Sequence, residues 1–306
     1  MSVIRLRIMG GLGNQLFQYA AARYVQERYG FKDLVIESKE YQTYRIRNLE
    51  ICKFALPGFV IETQETKQLD NIIRNAYRVY QKIYLISNRQ FAPSKEFTIG
   101  KTRYVCSTTE FKCPKVKNEQ DVFMNGYFVS SDMAQEMKEV LYKEIVLLNQ
   151  DGKKYKMYQN LIENSMSVGI SIRCGDDYVK AGWPICSKEY YLSGLKLIKE
   201  QFPNCRVFIF SDNIDKVRKE HWFEDNDNVV FVENIDVCES FDLLRICKHY
   251  VCANSSFSWW GAFLTHSRSP VIIQPNIFYA ENYIDTERLR YKGVKYLHYQ
   301  SGAEIL

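Results

Sequence analysis

The residues able to do chemistry sit where apolar runs end. The run SVGISI is followed by Arg173, Cys174, Gly175, Asp176 and Asp177. An arginine leaving a buried strand can fork onto a phosphate with two charge-assisted hydrogen bonds. An Arg173–Asp176 ion pair that only shapes the turn is the simpler alternative. Asp212 follows the run VFIFS, where it suits hydrogen bonding to a base or ribose, or an N-cap of the next helix. In ANSSFSWWGAFL, Ser255, Ser256 and Phe257 open a helix whose unbonded N–H groups would seat a phosphate, while Trp259 and Trp260 read as core. Near the start of the chain, MGGLGNQLFQYA places Gly10, Gly11 and Gly13 between a strand and a helix. Glycine there permits positive φ and close approach of a ligand to the backbone, and a tight turn explains it as well as a ligand does. Asn14 and Gln15 at the helix start can cap it or hold a polar ligand. The spacing matches neither the dinucleotide fingerprint nor a Walker A loop. Asp225-Asn226-Asp227 fits a D-x-D metal pattern, but it sits in FEDNDN, which reads as an exposed turn at the wrong end of a parallel strand.

These stretches need a scaffold that brings strand ends together. Residues 3–9 alternate, with Ile4, Leu6 and Ile8 on one face and Arg5 and Arg7 on the other, which predicts a strand with one buried face. A helix over 14–29 with a stop at Gly30 and a strand over 33–38 complete one α/β unit. From 166 onward, apolar runs alternate with helical segments: SVGISIR, a helix capped by Ser187, CRVFIFS, a short helix, NVVFVE, SFDLLRICKHY as helix, VCAN, SFSWWGAFLTH as helix, and PVIIQP. That rhythm predicts a parallel sheet covered on both faces, with ligands at the carboxyl ends of its strands. Residues 130–148 also read as helix. The polar stretch NQDGKKYKMYQNLIENSM marks a domain boundary near 150–165. Between 64 and 86, Leu69, Ile72, Ile73, Ala76, Tyr80 and Ile83 share a helical face and Arg74, Arg78 and Lys82 lie nearer the other. Either the apolar face packs on the core, or the basic face sits on a membrane.

The chain has 306 residues and a net charge of +5, with material for a sizeable core. The charge is too small to argue for a nucleic-acid binder, and it fits a phosphorylated ligand or an anionic surface nearby. Nine cysteines with no C-x-x-C pair and four scattered histidines predict reduced thiols and no cysteine metal site. MSVIRLRIMGG has no apolar signal core, and no run of about 18 apolar residues occurs, so the expectation is a cytoplasmic chain without a membrane span.

Four stretches in this order resemble the bacterial α-1,2-fucosyltransferase family, glycosyltransferase family 11: GGLGNQLFQYA, ISIRCGDDY, FSDN and CKHYVCANSSFSWWGAFL. The resemblance runs from residue 4 to about 276 and is thinnest between 45 and 120. It implies an α/β chain of GT-B type, two Rossmann-like lobes with a ligand cleft between them. An acceptor-side lobe with the glycine turn would span 1–155 and a GDP-sugar-binding lobe 156–306. The implied reaction is a metal-independent, inverting transfer of L-fucose from GDP-β-L-fucose to the 2-hydroxyl of a terminal galactose in a surface glycan of O-antigen or capsule type. GDP-fucose is then a substrate, and no cofactor or metal is implied. Carried over, Arg173 would bind the β-phosphate and Asp176 would orient it or act on the acceptor. Asp212 would recognise guanosine. Ser255, Ser256 and Phe257 would line the pyrophosphate seat, and Gly11, Asn14 and Gln15 would face the donor from the other lobe. A lipid-linked acceptor would give the basic helix a reason to touch the inner face of the membrane.

Two departures bear on this. Ser171 stands where the motif has histidine, and Cys174 where it has a second arginine. One lost charge-assisted hydrogen bond is worth about 1.5–3 kcal/mol. The departures keep two alternatives open: another nucleotide-sugar donor, and a non-catalytic nucleotide- or glycan-binding relative. A dinucleotide-dependent oxidoreductase fits poorly, since the segment after the first helix offers only Asp33 and Glu37 as acidic ribose partners.

Overall fold

A computed structural model describes residues 2–38, 41, 47–56, 59–62, 67–180, 182–223, 228–279 and 286–305. The chain folds as two compact units, Met1–Val146 with Asn282–Leu289, and Leu147–Glu281 with Arg290–Leu306. The division falls at Val146 rather than at 155. The Ala55 amide donates to the Val146 carbonyl at 2.8 Å within the first unit, whereas Tyr155 donates to Asp242 at 2.7 Å within the second.

The first unit contains β1 (Val3–Arg7), α1 (Leu12–Tyr29), β2 (Asp33–Glu37), β3 (Phe59–Glu62), α2 (Gln68–Asn88), β4 (Lys95–Ile99), β5 (Thr102–Cys106), β6 (Asp121–Asn125), α3 (Ser131–Glu136) and α4 (Lys138–Glu144). Its sheet runs β3-β2-β1-β6-β5-β4, parallel except for the β4–β5 hairpin. β1 is central, so both its faces are covered. Arg5 and Arg7 are buried along with Ile4 and Leu6, which corrects the expectation of a one-sided strand. Arg5 is neutralised locally: its Nε donates to Asp70 at 3.1 Å and its guanidinium pairs with Asp121 at 3.5 Å. α1 is buried on most of its circumference and stops where expected, at Gly30 in the left-handed region. The helix expected over 130–148 is two short ones that meet at Met137.

The second unit contains α5 (Lys153–Glu163), β7 (Ser167–Ile172), α6 (Asp176–Lys180), α7 (Lys188–Gln201), β8 (Arg206–Ser211), α8 (Ile214–Lys219), β9 (Val229–Phe231), α9 (Val237–Arg245), β10 (His249–Val251), α10 (Ser256–Phe263), β11 (Ile272–Pro275), β12 (Val294–Leu297) and β13 (Glu304–Ile305). The sheet order is β13-β12-β11-β10-β7-β8-β9, and only β12–β13 is antiparallel. Ser187 caps α7 by accepting from the Tyr190 amide, and Asp236 with Glu239 forms a capping box on α9. α9 ends at Arg245 instead of running to Tyr250. The Lys248 amide donates to Ser167 and the Tyr250 amide to Val271, so these residues join the sheet ladder. Leu244 fills a notch between Gly169 and Gly261, where an added Cβ would come within 2.8 and 2.6 Å of its methyls.

Candidate active site

In a parallel sheet, ligands bind beyond the carboxyl ends of strands at the point where strand order reverses. In the second unit β7 is flanked by β8 on one side and β10 on the other, so that point lies between β7 and β10. Arg173 leaves β7 and Asn254 follows β10. Tyr178 on α6 links the two by donating to the Asn254 carbonyl at 2.7 Å. Its ring lies under the Arg173 guanidinium, 4.9 Å from the centroid, and it stacks on Trp183, which meets Tyr279 edge-on. Arg173 therefore sits on an aromatic wall beside the start of α10. Ser255, Ser256 and Phe257 are the partly exposed residues there. Ser255 occupies the N-cap position without a side-chain cap bond, so backbone N–H groups and the helix dipole face outward next to a cation. That is an anion seat.

Arg173 pairs with Asp212 across the sheet, and both side chains are largely covered. Asp212 also accepts from the amides of Cys174 and Gly175, each at 2.9 Å. Its carboxylate thus holds the turn after β7, positioning Arg173 and the backbone around it. The N-cap of α8 is Asn213 instead. Asp176 is exposed at the start of α6, and Arg173 pairs instead with Asp212. The two departures from the family motif are absorbed inside the unit. The Ser171 hydroxyl bonds that of Ser258 at 2.5 Å. Cys174 is buried in the core cluster, 3.7 Å from the Ser211 hydroxyl, and burial pushes its thiol above the ordinary range. Both side chains are buried.

Asn254, to which the sequence assigns no role, is a structural hub. Its Nδ2 donates to the Pro184 carbonyl at 2.7 Å, and its Oδ1 accepts from the Cys186 thiol. Tyr178 and Trp183 also escaped the sequence reading, although an aromatic pair just after an arginine at a strand end was the visible signal. Trp259 and Trp260 are fully buried, as their composition suggested. Asp225 and Asp227 lie outside the described residues.

In the first unit the order reverses between β1 and β6. A cavity of about 410 Å³ opens there, lined among others by Arg7, Gly10, Arg78, Gln81, Asn125 and Tyr127. Gly126 must be glycine, because a Cβ would overlap the Ser107 carbonyl. Gly10 takes φ of +80°, and Gly11 begins α1 without a side-chain cap. Asn14 is half-buried beside Gly10. Gln15 departs from its expected donor-facing role. It is fully buried, its Nε2 donates to the carbonyls of Gly10 and Asn48 at 2.9 and 2.8 Å, and its Oε1 accepts from the amides of Glu50 and Ile51. Its amide has no valence left for a ligand and holds the segment around residue 50 onto the glycine turn. Gln15→Leu, close in size, strands two buried N–H groups. The expected loss is about 2–3 kcal/mol of stability, read by chemical denaturation.

The chain thus has two doubly wound α/β units, the second with a cation beside the start of α10 at its switch point. Residues 3–296 match the family described as Glycosyl transferase family 11, and the chain belongs to that family. It is 29% identical over 287 residues to an alpha-1,2-colitosyltransferase of Escherichia coli, covering 90% of this chain and 92% of that protein. It is 24% identical over 292 residues to the E. coli O-antigen biosynthesis glycosyltransferase WbnK, covering 90% and 94%. Among solved structures, fucosyltransferase NodZ from Bradyrhizobium superposes with a TM-score of 0.53 at 13% identity, covering 86% of this chain and 93% of that one, and so shares the fold.

Proposed function

We propose that the protein is an inverting, metal-independent transferase that moves a 6-deoxyhexose from a GDP-sugar to the 2-hydroxyl of a terminal galactose in a surface glycan. L-Fucose is the first donor sugar to test. The observation that carries this reading is Arg173 held over Tyr178 beside the open start of α10. As the acceptor oxygen bonds to the anomeric carbon, the bond from that carbon to the GDP oxygen breaks. Its electron pair goes to the β-phosphate, and the acceptor hydroxyl releases its proton. Charge on the phosphate is greatest in the transition state, so a guanidinium and helix N–H groups placed there lower the barrier as well as binding the donor. Ser255, Ser256 and Phe257 would contribute that backbone. The cavity beside Gly10 and Asn125, with its amides and hydroxyls, suits a sugar acceptor. Membership of the family and the O-antigen relative support a glycan acceptor.

The colitosyltransferase relative supports a second donor, the GDP-sugar of colitose. The test is GDP release by purified protein from GDP-fucose and from GDP-colitose, with and without lactose or N-acetyllactosamine, in EDTA. Acceptor-dependent release from GDP-fucose that persists in EDTA is the expected result. Release only from GDP-colitose would reassign the donor, and abolition by EDTA would overturn the metal-independent mechanism.

A further inference from the structure

The face of α2 expected to pack inward is split in two. Asp70, Ile73 and Tyr77 are its buried residues, and Ile73 and Tyr77 join Tyr104, Cys106 and Phe123 in a small core. Asp70 is fixed there by Arg5 and by the Tyr104 hydroxyl at 2.8 Å. That pairing turns a second apolar stripe to solvent: Leu69, Ile72, Ala76, Val79, Ile83 and Ile86. The spacing of three and four residues lines them up on one face about 25 Å long. Ile72, Val79 and Ile83 are 57%, 56% and 59% exposed, and Ile86 is 81% exposed. A contiguous apolar stripe of this kind on a surface marks an interaction site.

Charge decides the occupant. Along the helix and its two flanking positions the basic residues are Lys67, Arg74, Arg78, Lys82 and Arg89, and the single acidic residue, Asp70, is buried and paired. Arg78 and Lys82 are exposed on the flank of the stripe. A second copy of this helix would bring the same cations together with no exposed acid to meet them, and like charges across such a seam are unfavourable. An anionic bilayer supplies the opposite charge and an apolar layer for the isoleucines. We propose that α2 is the surface by which the protein docks on anionic phospholipid, lying in the headgroup region with Leu69, Ile72, Val79, Ile83 and Ile86 inserted. α2 also contributes Arg78 and Gln81 to the cavity of the first unit, so docking there brings that cavity to the membrane surface. A glycan acceptor anchored in the bilayer would be presented to it directly.

The test is co-sedimentation of the full chain with vesicles of phosphatidylglycerol and phosphatidylethanolamine, against vesicles of phosphatidylcholine alone. The wild type is expected to bind the anionic vesicles, to leave them as salt is raised, and to ignore phosphatidylcholine. The double variant Ile83→Glu, Ile86→Glu is expected to lose roughly 100-fold or more in partitioning. Because both side chains face solvent, it should keep the wild-type melting temperature and wild-type turnover of a soluble disaccharide acceptor. Three results would overturn the proposal. These are a wild type that stays in the supernatant with every vesicle, a variant that binds as well as wild type, and a dimer in sedimentation without lipid that the variant breaks. The vesicle readout needs no turnover, so it stands or falls apart from the proposed transfer reaction.

Discussion

Arg173→Ala is expected to lower kcat for glycosyl transfer by about 10²–10³-fold, the loss typical of removing one group aimed at developing transition-state charge. Arg173→Lys keeps a positive charge but loses the planar fork and the stacking on Tyr178, so it should recover only part of the activity. Stability should change little. With Arg173 removed, the Asp212 carboxylate keeps its two backbone N–H partners at 2.9 Å and 22% of its surface in water, so it is not left as an unsatisfied buried charge. Steady-state kinetics with both substrates varied, alongside a melting curve, separates the two effects. A donor KM that rises while kcat stays at wild-type level would place Arg173 in uniform binding of the diphosphate and not at the departing charge. Unchanged kinetics in a folded variant would remove it from the reaction.

The strand ends that frame this site were legible for a physical reason. β7, β8 and β11 are buried on both faces, so they read as apolar runs bounded by polar residues, and their carboxyl ends could be marked to within a residue or two. The partners of the site residues were not legible. Arg173 pairs with a carboxylate 39 residues away, although Asp176 lies three residues away, because the sheet places the end of β8 beside the end of β7. Gln15 read as a helix cap or a ligand-facing amide, and Asn254 carried no reading of its own. Their real work is to satisfy backbone groups far off in sequence, which no local pattern shows. β4, β5 and β6 were missed because KEFTI, TRYVC and DVFMN mix polar and apolar residues without clean alternation. Their polar members are matched across strands and helices, as Arg103 is to Glu96 at 2.6 Å. On α2 the sequence reads as a single apolar face, whereas the core takes Ile73 and Tyr77, with Asp70 held between Arg5 and Tyr104, and leaves Leu69, Ile72 and Ile83 exposed.

The largest expected stability effect lies along α1, the helix that follows the glycine turn. α1 carries Gln15 and Gln18, and Gln18 clamps the backbone of Met9 with two hydrogen bonds of 2.8 Å. Farther along α1, Glu144 of α4 accepts from the Tyr19 hydroxyl at 2.7 Å and from Arg23 Nη2 at 2.7 Å. Burial, reinforced by this carboxylate, holds the Tyr19 hydroxyl well above its ordinary range. Glu144→Ala would leave a buried guanidinium with its main counter-charge gone. The expected cost is about 3–5 kcal/mol, or roughly 10 °C in Tm for the unit concerned. The triple variant Tyr19→Phe, Arg23→Met, Glu144→Leu removes the three buried partners together and leaves as a charge only Glu27, which is 55% exposed to water. It should therefore be more stable than Glu144→Ala alone, because most of the single-variant cost is the stranded arginine and not the lost attraction. Thermal melts of the two variants decide between these accounts. If the triple variant melts below the single one, the cluster contributes net stability, and α1 is held by charge more than by the apolar side chains it buries.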